Sequence, residues 1–159
     1  MNGAKTLWLP YAKYVTRNGT KPMTVALDSN VFIAYLAKDD AFYNSANILI
    51  QQIAAGELQA VCSSIVFGEI VYTTSDPKSL AAVDAFFADL ASCSDRPADM
   101  VVCRKAAQLR QTYPALKLPD ALHLATAVVA QANSFVTADR RLLAIAKREI
   151  QSTYLTDFL

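Results

Sequence analysis

From Met23 onward the chain alternates short apolar runs of strand character with longer stretches whose apolar residues recur at helical spacing. Thr24-Val25-Ala26-Leu27 is β-prone and stops at Asp28, and Ser29-Asn30 can cap a following helix that carries Phe32, Ile33 and Leu36. A second helix, about 41–55, carries Ile48, Leu49 and Ile53 and stops at Gly56. Leu58 to Cys62 reads as the next strand, and Ser63-Ser64 as the cap of a helix bearing Ile65, Glu69 and Ile70. Pro77 sits in the first turn of another helix, with Leu80, Val83, Phe86, Phe87 and Leu90 on one face. Ser94-Asp95-Arg96-Pro97 reads as a polar turn before a helix with Val101, Val102, Ala106 and Leu109. Pro119 opens a helix from Asp120 to Ala132, Ser134 to Thr137 is a strand, Arg140 to Ala146 a short helix, and Gln151 to Leu155 a last strand. This alternation predicts an α/β domain with a mainly parallel central sheet and helices on both faces.

Residues 1–22 break the pattern. They mix Trp8, Tyr11 and Tyr14 with Lys5, Lys13, Arg17 and Lys21, contain no acid, and end in the turn signals Asn18-Gly19 and Pro22. They read as an N-terminal extension (an alternative start, an expression remnant or a docking arm) ahead of a domain spanning 23–159. A chain of 159 residues suits one compact domain. Its 53% hydrophobic and 18% charged residues supply a core and exclude a disordered tail. The formal charge of +1 offers no global field to attract nucleic acid, so RNA binding would rest on local cations and a metal site. Cys62, Cys93 and Cys103 form no C-x-x-C pair and the chain has a single histidine, which excludes the common zinc patterns and suits buried, reduced thiols. The apolar start is short and broken by Pro10, and no later run spans a membrane, so a cytoplasmic location is expected.

The candidate chemistry lies in four acids. Asp28 directly follows the first strand, Asp139 comes two residues after Thr137, Asp120 begins a helix behind Pro119, and Glu69 sits in the helix after the second strand. Parallel sheets place their sites beyond the carboxyl ends of strands, where all four could gather. Two carboxylates about 4 Å apart repel by roughly 4 kcal/mol at an effective dielectric near 20, so four in one pocket need protons or a cation. All-oxygen ligands point to a hard divalent ion, Mg²⁺ or Mn²⁺, able to activate water for phosphodiester hydrolysis. Taken singly, each acid has a plain structural reading as a helix cap, a helix-start acid or a solvent-facing glutamate. His123, three residues after Asp120 on the same helical face, is placed to contact substrate or an acid, but reads first as an ordinary structural histidine. Ser63 and Ser64 have no histidine near them in sequence, so capping accounts for them better than nucleophilic catalysis.

The runs Val25-Ala26-Leu27-Asp28-Ser29-Asn30-Val31-Phe32-Ile33, Ser63-Ser64-Ile65-Val66-Phe67-Gly68-Glu69-Ile70, Lys117-Leu118-Pro119-Asp120-Ala121-Leu122-His123-Leu124-Ala125-Thr126-Ala127 and Phe135-Val136-Thr137-Ala138-Asp139-Arg140-Arg141-Leu142 resemble, in order, the four acidic motifs of PIN domains. The resemblance covers roughly residues 23–157, and a chain of this size is most similar to the VapC-like toxins of toxin–antitoxin pairs. It implies a PIN-like α/β/α fold and a Mg²⁺- or Mn²⁺-dependent endoribonuclease with RNA as substrate. It also implies a cognate antitoxin as partner and a homodimer. Carried over by position, Asp28, Glu69, Asp120 and Asp139 are the catalytic and metal-binding quartet, while Asn30 and Thr137 are polar residues that support it. Lys117 and Arg140 adjoin motif acids and are the candidate substrate contacts. Ala138 departs from the pattern, since an Asn is common at that position. Two other readings are a non-catalytic PIN-type domain that binds RNA or a partner, and a phosphatase with Asp28 as nucleophile. The second is weakened by Asn30, which stands where a second acid is usual.

Overall fold

The computed structural model describes residues 22–38, 40–72 and 77–158. The extension expected over residues 1–22 lies outside the described residues, apart from Pro22.

Five short strands form one sheet: β1 Thr24–Leu27, β2 Gln59–Ser63, β3 Cys93–Arg96, β4 Ser134–Thr137 and β5 Ser152–Tyr154. Their order is β3-β2-β1-β4-β5 and every pairing is parallel. Parallel neighbours need crossover connections, which the seven α-helices among the described residues supply: α1 Ser29–Leu36, α2 Tyr43–Ala54, α3 Ile65–Tyr72, α4 Pro77–Asp89, α5 Met100–Thr112, α6 Leu118–Val129 and α7 Arg140–Ala146. The residues of β1 and β4 are all buried, as expected of central strands covered on both faces.

Strand alternation divides the core in two. Val25, Leu27, Ala60, Cys62 and Val136 pack against α1, α2, α3 and α4, through Phe32, Leu49, Ile50, Ile53, Val66, Ile70 and Val83. Ala26, Val61 and Phe135 point the other way and meet Val102, Ala106 and Leu109 of α5, Ala121, Leu124 and Ala125 of α6, and Leu142 and Ala146 of α7. The result is a three-layer α/β/α arrangement. It agrees with the expectation from sequence and makes the sheet wholly parallel among the described residues.

Several local readings need correction. Ser94-Asp95-Arg96 is not a turn but most of β3, an edge strand paired with β2 from Ala60↔Cys93 to Ser63↔Arg96. The second strand runs one residue further than expected, to Ser63, and α6 ends at Val129 rather than Ala132. The last strand is only three residues long, because Leu155 already belongs to a 3-10 turn, Leu155–Asp157. Ser29 and Asn30 do not cap α1; Asp28 does, its side chain accepting from Ser29 N. Ser64 Oγ accepts from Ala98 N and ties β2 to the chain beyond β3, while Ser63 Oγ is buried without a partner. Of the cysteines, Cys62 is buried, Cys93 partly so and Cys103 exposed, and all three are free.

Candidate active site

The strand order reverses between β1 and β4: the chain moves outward from β1 to β2 and β3 on one side, and from β4 to β5 on the other. Ligands of doubly wound sheets bind outside the carboxyl ends of the strands at such a switch. The residues that end these two central strands are locked together there.

Asp28 follows β1 and is 3% exposed. Its backbone N–H continues the ladder to Val136 O at 3.1 Å. Its Oδ1 accepts from Ser29 N at 2.8 Å, and its Oδ2 accepts from Thr137 Oγ1 at 2.7 Å and Asn30 Nδ2 at 2.6 Å. Thr137, fully buried at the end of β4, spends its only hydroxyl proton on Asp28 and accepts from Asp139 N at 3.0 Å. Asn30 Nδ2 also reaches Thr137 Oγ1 at 3.1 Å, and its Oδ1 accepts from Ala138 N at 2.9 Å. The backbone of Ala138 is therefore held although its side chain offers nothing polar. Two of the acids thus hang on one hydroxyl and one amide.

Asp139 is the N-cap of α7, with Oδ1 accepting from Arg141 N at 2.7 Å and Leu142 N at 3.2 Å. Asp120 stands in the first turn of α6, behind Pro119. Glu69 lies in α3, and its Oε2 is 2.7 Å from His123 Nε2. The same ring nitrogen is 4.0 Å from Asp28 Oδ1. The plain structural readings of Asp28 and Asp139 as helix caps are therefore true as well; a cap and a site residue can be one side chain.

The electrostatics link the four acids. Burial pushes the Asp28 carboxyl up, against the pull of His123, Thr137 and Ser29, and Asp120 pushes it further up. Asp120 is also raised, first by burial and then by Asp139, with a smaller push from Glu69 and relief from His123 and Lys117. Glu69 moves the other way, lowered chiefly by the hydrogen bond from His123, with a smaller one from the Ser29 side chain. Asp120 thus feels Asp28, Asp139 and Glu69 together, and the structure brings all four sequence-expected acids to one end of the sheet.

Lys117 precedes α6 and is exposed, within electrostatic reach of Asp120. Arg140 is placed differently: its guanidinium stacks 4.2 Å above the Tyr154 ring at the end of β5. His123 and Ser29 are the residues whose part in this cluster sequence reasoning did not assign. Their signals were adjacency to Asp28 for Ser29 and a one-turn offset from Asp120 for His123.

Among the described residues no three Asp, Glu, His or Cys side chains stand close enough to enclose one metal ion. The donor set is nonetheless of the right chemistry for a hard divalent cation. Mg²⁺ keeps several waters and is usually held by one or two carboxylates together with substrate phosphate, rather than by an all-protein cage.

The Thr137 hydroxyl carries a testable share of this geometry. Thr137→Val keeps the shape but leaves buried polar partners unsatisfied, and is expected to cost about 1–3 kcal/mol of stability. Urea unfolding in EDTA measures it; an unchanged midpoint would show that the network bears no weight.

The fold and site define a class: a doubly wound parallel α/β domain with carboxylates clustered at its switch point. The sequence profile of the PIN domain matches residues 25–148, and the chain belongs to the PIN domain family. No curated protein sequence matches the chain significantly. Among solved structures it is similar to a chain of VapBC2 from Rickettsia felis, crystallised bound to a DNA fragment from the promoter. That match has 16% identity and a TM-score of 0.65 over 83% of this chain and 98% of that one. It is also similar to FitAcB from Neisseria gonorrhoeae, with 17% identity and a TM-score of 0.62 over 84% and 99%. A toxin–antitoxin complex from Klebsiella pneumoniae matches at 24% identity and a TM-score of 0.56 over 77% and 90%. At these identities the likeness concerns the fold.

Proposed function

We propose that this protein is a divalent-metal-dependent endoribonuclease, acting as the toxin of a toxin–antitoxin pair. The observation that carries the reading is the gathering of Asp28, Glu69, Asp120 and Asp139 at the β1/β4 end of the sheet, where Asp120 raises the Asp28 carboxyl and Asp139 and Glu69 raise that of Asp120. Structural neighbours that are toxin–antitoxin complexes support the toxin role and an antitoxin as partner.

The four carboxylates are the groups that would hold Mg²⁺ or Mn²⁺. Such an ion, when bound, lowers the pKa of a water and stabilises charge developing on a phosphoryl oxygen. The chain's own part is to hold the carboxylates. Asp28 is fixed at both oxygens, Asp139 is oriented by the first amides of α7, and Asp120 stands in the first turn of α6 within electrostatic reach of Asp139 and Glu69. The double anchoring of Asp28 suits a fixed ligand better than the free nucleophile a phosphatase would need. Exposed Lys117, beside Asp120, is placed to meet a phosphate of the incoming RNA.

Protein stripped with EDTA is expected to leave a labelled single-stranded RNA whole, and to cut it once Mn²⁺ or Mg²⁺ is restored. Intact RNA in the presence of protein with Mn²⁺ demonstrably bound would overturn the nuclease reading in favour of a non-catalytic RNA- or partner-binding domain.

A further inference from the structure

We infer that His123 is a positioning residue for Glu69: its Nε2–H is the main anchor of a partly exposed carboxylate, which the Ser29 side chain holds more weakly. The inference rests on the reading of Glu69 as a metal-binding acid.

Glu69 is a flexible side chain, one-third exposed, on the short helix α3 and next to Gly68, which offers it no side chain to lean on. His123 is its opposite. The residue is 2% exposed and belongs to α6, in which Ala121 and Leu124 to Ala127 are buried as well. A rigid buried donor 2.7 Å from Oε2 removes rotamer freedom that the glutamate would have to surrender on binding an ion.

The ring's two nitrogens reveal the direction of the bond. A proton must lie between Nε2 and Oε2 at that distance, and an ionised carboxylate can only accept, so the ring nitrogen is the donor. Nδ1 is buried with no partner. The Nε2–H tautomer leaves a bare lone pair there, whereas the Nδ1–H tautomer would orphan a donor and face a lone pair against the carboxylate. A histidine kept only for packing would gain nothing over leucine at this point, because burying its polar atoms has a cost that one bond to a half-exposed acid only partly offsets.

The chain contains a single histidine, so one imidazole can be read directly. In untagged protein labelled at histidine nitrogen, NMR is expected to show a protonated Nε2 and an unprotonated Nδ1, with the Nε2 signal moving in Glu69→Ala. A ring protonated at Nδ1 alone would overturn the proposal without any variant having to fold. In calorimetric Mn²⁺ titrations, His123→Leu is expected to weaken binding about 10–100-fold. His123→Gln, which keeps a donor at the same reach, is expected to restore most of it. Added to Glu69→Ala, His123→Leu should cost nothing further. Equal affinity of His123→Leu and wild type, or a full additional loss in the Glu69→Ala background, would show that His123 does not act through Glu69. Failure of wild-type protein to bind Mn²⁺ would sink the metal reading instead, and the tautomer would still decide whether Nε2–H holds Glu69.

Discussion

Asp120→Asn protein is expected to melt at a higher temperature than wild type in EDTA at neutral pH, and to be nearly inert toward RNA. Asp120 is raised by burial and by Asp139 and Glu69, so its ionised form is disfavoured in the folded state relative to the unfolded one. A group raised on folding contributes stability that is complete below its unfolded pKa and is lost as pH climbs through the folded value. At neutral pH the charge is therefore a burden, and the amide removes it. Against this stands the loss of a favourable carboxylate in the first turn of α6, worth about 0.3–1 kcal/mol. Burial and the repulsion of two neighbouring acids act against that term, and net relief is expected. On the activity side, loss of Asp120 in its proposed role as a metal-binding carboxylate would remove several kcal/mol of transition-state stabilisation. At about 1.4 kcal/mol per tenfold, the rate should fall about 10²–10⁴-fold. Melting curves and single-turnover cleavage test both halves. A variant that cuts at the wild-type rate would remove Asp120 from the site.

The second large effect is expected from the metal itself. In EDTA, Asp28 and Asp120 both weaken the fold as pH rises from the ordinary carboxylate range through their raised values. Glu69, lowered on folding, works in the opposite sense: its contribution is present above its unfolded pKa and disappears as pH falls through its folded pKa. Glu69's window lies below the ordinary carboxylate range and those of the two raised acids extend above it, so metal-free protein should lose stability between weakly acidic and neutral pH. Mn²⁺ at a hundred times its dissociation constant adds about 2.7 kcal/mol. For a domain of this size each kcal/mol is worth roughly 2–4 °C, so the melting temperature should rise by about 5–11 °C. The gain should grow with pH, because protons compete with the ion for the same oxygens. Superimposable melts with EDTA and with Mn²⁺ at pH 7.5 would contradict this.

Much of the architecture could be read from the chain because its central strands are short apolar runs, each followed by an acid or a capping residue. Asp28 after Thr24–Leu27 and Asp139 after Ser134–Thr137 declare their places by position alone. β3 could not be read in this way. Cys93-Ser94-Asp95-Arg96 pairs on one side only, and two of its four residues are exposed, so nothing requires it to be apolar. The cap of α1 is hidden from the sequence for a related reason. Asn30 donates to Asp28 two residues back and also reaches Thr137 and Ala138, more than a hundred positions away, so its side chain is not left for the helix amides. His123 is the plainest case. Its meaning depends on α6 lying beside α3, a proximity that no window of neighbouring residues contains.

The hydrogen bond from Thr137 to Asp28 joins residues 109 positions apart. A ribosome adds about 5–20 residues per second, so roughly 5–20 s pass between the emergence of one partner and the other. During that time Asp28 lacks its anchor, and Asp120 and Asp139 have yet to leave the exit tunnel or to fold. The four acids can therefore meet only after Asp139 has been made and has emerged, so their assembly belongs to the late steps of folding and not to the early ones.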